Sequence, residues 1–415
     1  MIASVLEVIE DNLRRKDPHL DLSDYGLDGT EVELFHPEHS FLKKLTHLES
    51  LSLALNQLQE FTLPWSLPFL QTLDLSGNQL RDVSLPESLP ELHTLNARDN
   101  LLQEITLPKH MPQLGYLDLA FNQLHSLMLL GVFPELYHLD LQENELQTIV
   151  LPKDLPQLQQ VFLSVNQLEE ISLPKVLPEL EYLDIRDNQL RGRLIMHDSP
   201  RLKSLVLSSN KLQEISLSGK MPQLQYLDIS ANQLHTFSTP ESLPCLRHLN
   251  VSTNQLKDIC LPEALPHLQK LNIKENQLRS TSFLKGLPRL QNLDLSRNQL
   301  CEVLIPEKQA HLTVLNLGSN QLCEISFLKG LSQLKFLSLS NNQLQVIAFP
   351  EELPQLTYLS LSENQLTEFG LALLEMLPAL DQLWLGGNPV RNIEQKLLKE
   401  TQDVSKLRQY LKSLQ

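Results

Sequence analysis

The sequence predicts an α/β solenoid, a stack of short repeated coils, in place of the two or three globules that 415 residues would ordinarily form. Three observations carry this expectation. Asparagine returns every 22 residues, at Asn56, Asn78, Asn100, Asn122, Asn144, Asn166, Asn188, Asn210, Asn232, Asn254, Asn276, Asn298, Asn320, Asn342 and Asn364, with a last step of 24 to Asn388. Counted from each asparagine, apolar residues recur at +2, +5, +7, +11, +14, +17 and +19. The final three, spaced LxxLxL, end in the period-two alternation of a β-strand.

At the N-terminus, Ile2, Val5, Leu6, Ile9 and Leu13 fall on one face of a short helix. HLDLSDYGLDG then has the wording of a coil, with Tyr25 where asparagine would stand, and SFLKKLTHLESL resembles SFLKGLPRLQNL further on. Residues 1–44 are therefore expected to be a helical cap and an irregular first repeat.

Residues 45–392 are expected to be the stack itself. In LDLSGNQL, Leu73 and Leu75 point one way and Asp74 the other. One such strand per coil, always running the same way, builds a parallel sheet. The return stretch, such as DVSLPESLP after Arg81, buries a second pair at +5 and +7 and then meets prolines that fix φ and supply no N–H. Extended chain, turns and short 3-10 segments are expected there. Asn78 and its equivalents stand where the chain turns sharply into the core, leaving backbone groups that need partners. A carboxamide offers two donors and an acceptor in compact form, so it can bridge the turn to its neighbour. A single coil buries too little apolar surface to offset the ordering of its backbone, so only stacking makes the fold favourable.

RGRLIMHDSP, residues 191–200, lacks the LP wording and adds Gly192; a kink or protruding loop and simple sequence drift are both open. After Asn388 the period breaks at Pro389. Asn392 with Gln395 has capping-box spacing, and Val404, Leu407, Leu411 and Leu414 make the apolar stripe of a last helix, so residues 393–415 are expected to be C-terminal capping helices.

LxxLxLxxNxL at this spacing resembles the leucine-rich repeat signature, and the resemblance covers residues 45 to 392. Unit length and the LPxLxxLxL wording look most like bacterial and cytoplasmic members. The resemblance implies a superhelix with the parallel β-sheet on a concave face, an extended or 3-10 convex side, and protein binding on the concave sheet. The C-terminal segment resembles the end of the repeats in Roco proteins, with generic capping as the alternative.

Composition bears on partners. The formal net charge of -16 repels phosphate backbones and anionic lipid, so nucleic acid and membrane are not expected as partners. Glu7, Glu10 and Asp11 interrupt what a secretion signal would need as an apolar core, and no stretch is apolar enough to span a bilayer. A cytoplasmic location is expected. Cys245, Cys260, Cys301 and Cys323 have neither CxxC pairing nor metal-ligand spacing, and are expected to be reduced thiols, although Cys301 and Cys323 occupy equivalent places in successive coils.

The outward strand positions form two columns of candidate partner-binding residues. Between the strand leucines stand Asp118, Asp140, Phe162, Asp184 and Asp228, with Trp384 on the terminal strand. Two residues earlier, on the same face, stand Tyr116, His138, Tyr182, Tyr226, His248, Phe336 and Tyr358. The acids read either as solvated, inert parts of the repeat wording or as a stripe that selects a basic partner. The aromatics read as binding anchors or as residues that simply favour strands. Phe162 lies diagonal to Tyr182 and breaks the acid column, which makes it a candidate centre of an interface. A flat row of one residue type does not wrap an ion, so no metal site is expected.

No HExxH, GxSxG or GxxxxGK[ST] occurs, so neither catalytic residues nor cofactors are expected. The leading expectation is a non-catalytic scaffold that binds a basic or amphipathic protein or peptide on its concave sheet. The alternatives are the sensing arm of a Roco-type GTPase whose Roc domain is absent from this chain, and a phosphatase regulatory subunit.

Overall fold

The computed structural model describes residues 2–29, 44–63, 67–217, 219–238, 243–261, 265–306, 311–391, 393 and 404–413. The chain divides into two compact units, one made of Met1–Arg191, Met196–Lys211 and Gly219–Met221, the other of Gly192–Ile195, Leu212–Ser218 and Pro222–Gln415. Each is a stack of coils in which every coil gives one three-residue strand to a parallel sheet, and the expected parallel-sheet solenoid is what forms.

In the first unit the strands run from His19–Asp21 and Ser50–Ser52 through Tyr116–Asp118, His138–Asp140 and Gln160–Phe162 to Ser204–Val206. In the second they run from Tyr226–Asp228 to Gln382–Trp384. Within each unit the strands pair in parallel and in register, as in Tyr116↔His138 with Asp118↔Asp140, and Phe336↔Tyr358 with Ser338↔Ser360. The middle residue of each strand is a buried leucine or valine, and its neighbours face outward, as the alternation requires. The irregular first coil joins the ladder: Leu27 N–H donates to Asn56 Oδ1 at 2.9 Å although Tyr25 replaces its asparagine.

Each asparagine does what its chemistry allows at the bend. Asn144 Nδ2 donates to the carbonyls of Leu119 and Leu141 at 3.0 and 3.1 Å, and its Oδ1 accepts from Leu124 N–H at 3.0 Å. The same set recurs at Asn78, Asn122 and Asn342, so the side chain both closes its own turn and fastens it to the preceding coil. The residue immediately before each asparagine is left-handed. At the fourteen non-glycine positions from Leu55 to Glu363, φ lies between 51° and 56°. This was not read from the sequence, because side chains as unsuited to that region as Phe121, Val165 and Thr253 stand there. Gly77, Asp99, Asp187, Asn341 and Gly387 in the same column were the available signal.

The return side is extended where the LP wording holds and forms short second strands, Glu60–Thr62 beside Asp82–Ser84 and Ser126–Met128 beside Thr148–Val150 in the first unit. Where SFLKG replaces that wording, 3-10 turns form at Ser282–Gly286 and Ser326–Leu328; where FGLALLEM stands instead, a five-residue helix forms at Leu371–Glu375. The irregular RGRLIM stretch is a six-residue strand, Arg191–Met196, on which Gly192 takes φ +68°.

Helices stand at both ends. Ile2–Arg15 buries Val5 and Ile9, and its buried Asn12 donates from Nδ2 to the carbonyls of Asp17 and His19, tying the helix to the first strand. Val404–Ser413 buries Val404, Leu407 and Leu411, and Arg408 Nη2 donates to the Leu377 carbonyl at 2.6 Å. The Asn392–Gln395 capping spacing and Leu414 lie outside the described residues. No described helix is long and apolar enough to cross a membrane.

Candidate partner-binding face

In-register parallel strands set equivalent side chains about 4.8 Å apart, close to ring-stacking distance. The first unit uses this. Tyr116 and His138 lie flat on one another, centroids 4.3 Å apart and planes 5° from parallel, and His138 meets Phe162 at 5.7 Å, tilted by 50°. Tyr137 adds a fourth ring, 6.5 Å from Tyr116. His138 Nδ1 pairs with Gln160 Oε1 at 2.9 Å, which fixes the imidazole in the ladder. Phe162 stands diagonal to Tyr182, as expected, in register with Asp184, and its ring contact is with His138 in the preceding coil. Tyr182 is exposed and has no ring contact among the described residues.

Two of the aspartates are not solvated parts of the repeat wording. Asp118 and Asp140 are 4% and 5% exposed, not solvated, although they face out from the sheet. Each turns Oδ1 onto the backbone N–H two residues on, Asp118 to Ala120 and Asp140 to Gln142, both at 3.0 Å. Asp74, Asp184, Asp228 and Asp294 do the same, and Asn96, Asn250, Asn272 and Asn316 substitute for them. The column therefore prefers Asp and Asn because a short acceptor is needed at the strand end. Negative charge is a by-product of that preference.

At Asp118 and Asp140 the remaining oxygens converge. Arg98 Nη1 lies 3.6 Å from Asp118 Oδ2 and 3.4 Å from Asp140 Oδ2, and its guanidinium sits 4.5 Å from the ring centre of Phe121. Tyr116 Oη donates to Asp118 Oδ2 at 3.3 Å, and Gln142 Nε2 to Asp140 Oδ2 at 3.1 Å. Burial pushes the Asp140 carboxyl above the usual carboxylate range; the Gln142 N–H opposes the shift, adjacent Asp118 adds to it, and Arg98 and His138 oppose it. Burial and the Asp118 charge lift the Tyr116 phenol to about 12. Sequence reading missed Arg98, Phe121 and Gln142. Arg98 and Gln142 continue the outward alternation two residues past the aspartate column, and following that column one step further would have found them. Asp184, farther along this sheet, is ion-paired with Arg186 at 3.4 Å.

The second unit separates its predicted residues into two groups. Tyr226 and His248 meet edge to face at 5.9 Å, and Phe336 stacks on Tyr358 at 4.4 Å and 8°; Lys270, Asn292 and Val314 occupy the intervening strands. Asp228 accepts from Ser230, through N–H and Oγ alike. Burial, then Lys270 and Arg247, lower the His248 imidazole below its usual value. Trp384 stands in register with Ser360, its indole Nε1 buried. Among the described residues no group of His, Cys, Asp and Glu is arranged to hold a metal ion, and the four cysteines are exposed and free.

Residues 200–256 match the leucine rich repeat family model, and residues 46–87, 68–109, 332–372 and 354–398 match the model of two leucine rich repeat copies. Among solved structures the chain is similar to YopM from Yersinia enterocolitica, at 26% identity over 94% of this chain and 91% of that one, with a TM-score of 0.54. It is also similar to a leucine-rich-repeat protein of Leptospira interrogans, at 24% identity, 97% and 96% coverage and a TM-score of 0.55, and to the functional domain of InlJ from Listeria monocytogenes, at 20%, 84%, 75% and 0.53. No curated protein sequence matches this chain.

Proposed function

We propose that this leucine-rich-repeat chain is a protein-recognition scaffold without catalysis of its own, and that it binds a basic or amphipathic protein segment on the open sheet face of its first unit. One observation carries the reading: the Tyr116–His138–Phe162 ring ladder adjoins the buried Asp118–Asp140 pair, and a single half-exposed guanidinium, that of Arg98, serves both carboxylates. Two carboxylates against one cation leave a local excess of negative charge at low exposure, where a partner's arginine or lysine gains more than it would on an open surface. The rings supply rigid apolar area on which the rest of the segment lies, at little cost in side-chain entropy. Tyr182 and Asp184 extend the same face. The exposed, unpaired thiols favour a reducing compartment, and the cytoplasm is the proposed location.

The test is paired alanine replacement. Tyr116→Ala with Phe162→Ala is expected to lower retention of a co-purifying protein by about tenfold or more, a loss typical of an interface hot spot. Retention equal to that of the parent, with the variant still folded, would remove the sheet face from consideration. Raising salt should weaken the complex as ions screen the carboxylate pair.

A further inference from the structure

We propose that the return side of the first unit carries a second docking surface, which takes a short apolar segment bearing carboxylates from a protein partner. The coil after Asn122 departs from its neighbours there. Where they place Ser or Thr at Ser84, Thr106 and Ser172, it has Met128; where they place Pro108, Pro152 and Pro174, it has Leu130; and Val132 follows. These side chains lie outside the core, Leu130 at 67% exposure and Val132 at 74%. Val150 extends the patch in register with Met128, and Val176 at 68% closes it two coils on. Exposed apolar side chains gathered on one side of neighbouring coils mark an interaction site, and here Asp154 stands between Val132 and Val176 in the equivalent place. Beside it lies a groove of about 500 Å³, lined by Leu151, Pro152 and Val176 among others, where two lysines, Lys153 and Lys175, stand against one carboxylate, Asp154.

Charge selects the occupant. Lys109, Lys153 and Lys175 hold equivalent places in their coils, all exposed, and none makes an ion pair among the described residues. Arg98, Arg186, Arg191, Arg201 and Lys203 of the same unit are each matched to a carboxylate. In a chain with a net charge of -16, cations left unmatched beside an apolar groove complement an acidic ligand. A groove between coils fits one extended segment better than a flat anionic bilayer, which the charge of the whole chain repels.

The probe is a phage-displayed library of random dodecapeptides, panned on the full chain with counter-selection on a Met128→Asp, Val176→Asp variant; both positions are exposed, so the variant is expected to melt with the parent. Enriched peptides are expected to combine apolar residues with Asp or Glu. Their synthetic forms should lose about tenfold in affinity or more on Lys153→Glu, Lys175→Glu, and bind Tyr116→Ala, Phe162→Ala unchanged, which separates this surface from the sheet face. The proposal is overturned by enrichment of peptides without acids, by equal binding to the lysine variant, or by no enrichment. It is equally overturned if the lysines instead govern binding to phosphatidylserine vesicles, or self-association in sedimentation.

Discussion

Arg98 Nη1 sits 3.4 Å from Asp140 Oδ2, 42 residues away along the chain, and shields that carboxylate together with Asp118. Removing the guanidinium leaves two buried carboxylates side by side. Arg98→Ala is expected to destabilise the fold by about 1–2 kcal/mol, below the usual cost of breaking a buried pair because Arg98 is itself 38% exposed. Urea unfolding of the variant checks this.

Asp140→Asn should behave differently. Asparagine keeps the acceptor for Gln142 N–H and removes the charge. Because the folded state raises the carboxyl's pKa, folding favours the protonated acid. That contribution is complete below the unfolded value near ~3.9 and is lost as pH climbs through the folded value. At pH ~7 the variant is therefore expected to be at least as stable as the parent, with the difference closing as pH falls below ~4. Unfolding midpoints across that range decide it; a parent more stable at neutral pH would mean that Arg98 outweighs burial.

Asn144→Ala orphans the N–H of Leu124, while the carbonyls of Leu119 and Leu141 each lose one of two bonds and keep those from Asn122 and Asn166. The expected loss is about 2–3 kcal/mol, since one unsatisfied buried group costs about 1–3 and two further bonds are lost. At Asn388, where the same bonds are only partly buried, the cost should be nearer ~1 kcal/mol. Equal losses at the two sites would mean that burial does not set the value of this side chain.

Val165 holds φ +56° with a β-branched side chain. Asparagine visits that region readily, so Val165→Asn is expected to stabilise by about 1 kcal/mol, visible as a higher melting temperature. Val165 is also exposed and follows Phe162 by three residues in the chain, so a simultaneous loss of partner binding would mark the strain as functional.

All four cysteines are free and exposed, Cys301 and Cys323 included. A thiol reagent is expected to titrate four equivalents from the native protein without denaturant. Titration of fewer would mean that a pair such as Cys301 and Cys323 had oxidised.

The 22-residue asparagine period determined the coil, the strand, its direction and the buried positions, because each is imposed locally and then repeated, and a regular stack has little freedom to override it. Column membership followed for the same reason, which is why Tyr116, His138 and Phe162 were legible as neighbours on one face. Tertiary structure alone decided what those columns do. Whether Asp140 is solvated or buried depends on Arg98, which reaches it across coils, and on a backbone N–H whose direction is set by the turn. The left-handed residue before each asparagine was likewise hidden, because cooperative bonding between coils holds Phe121 and Val165 in a conformation that their own side chains disfavour.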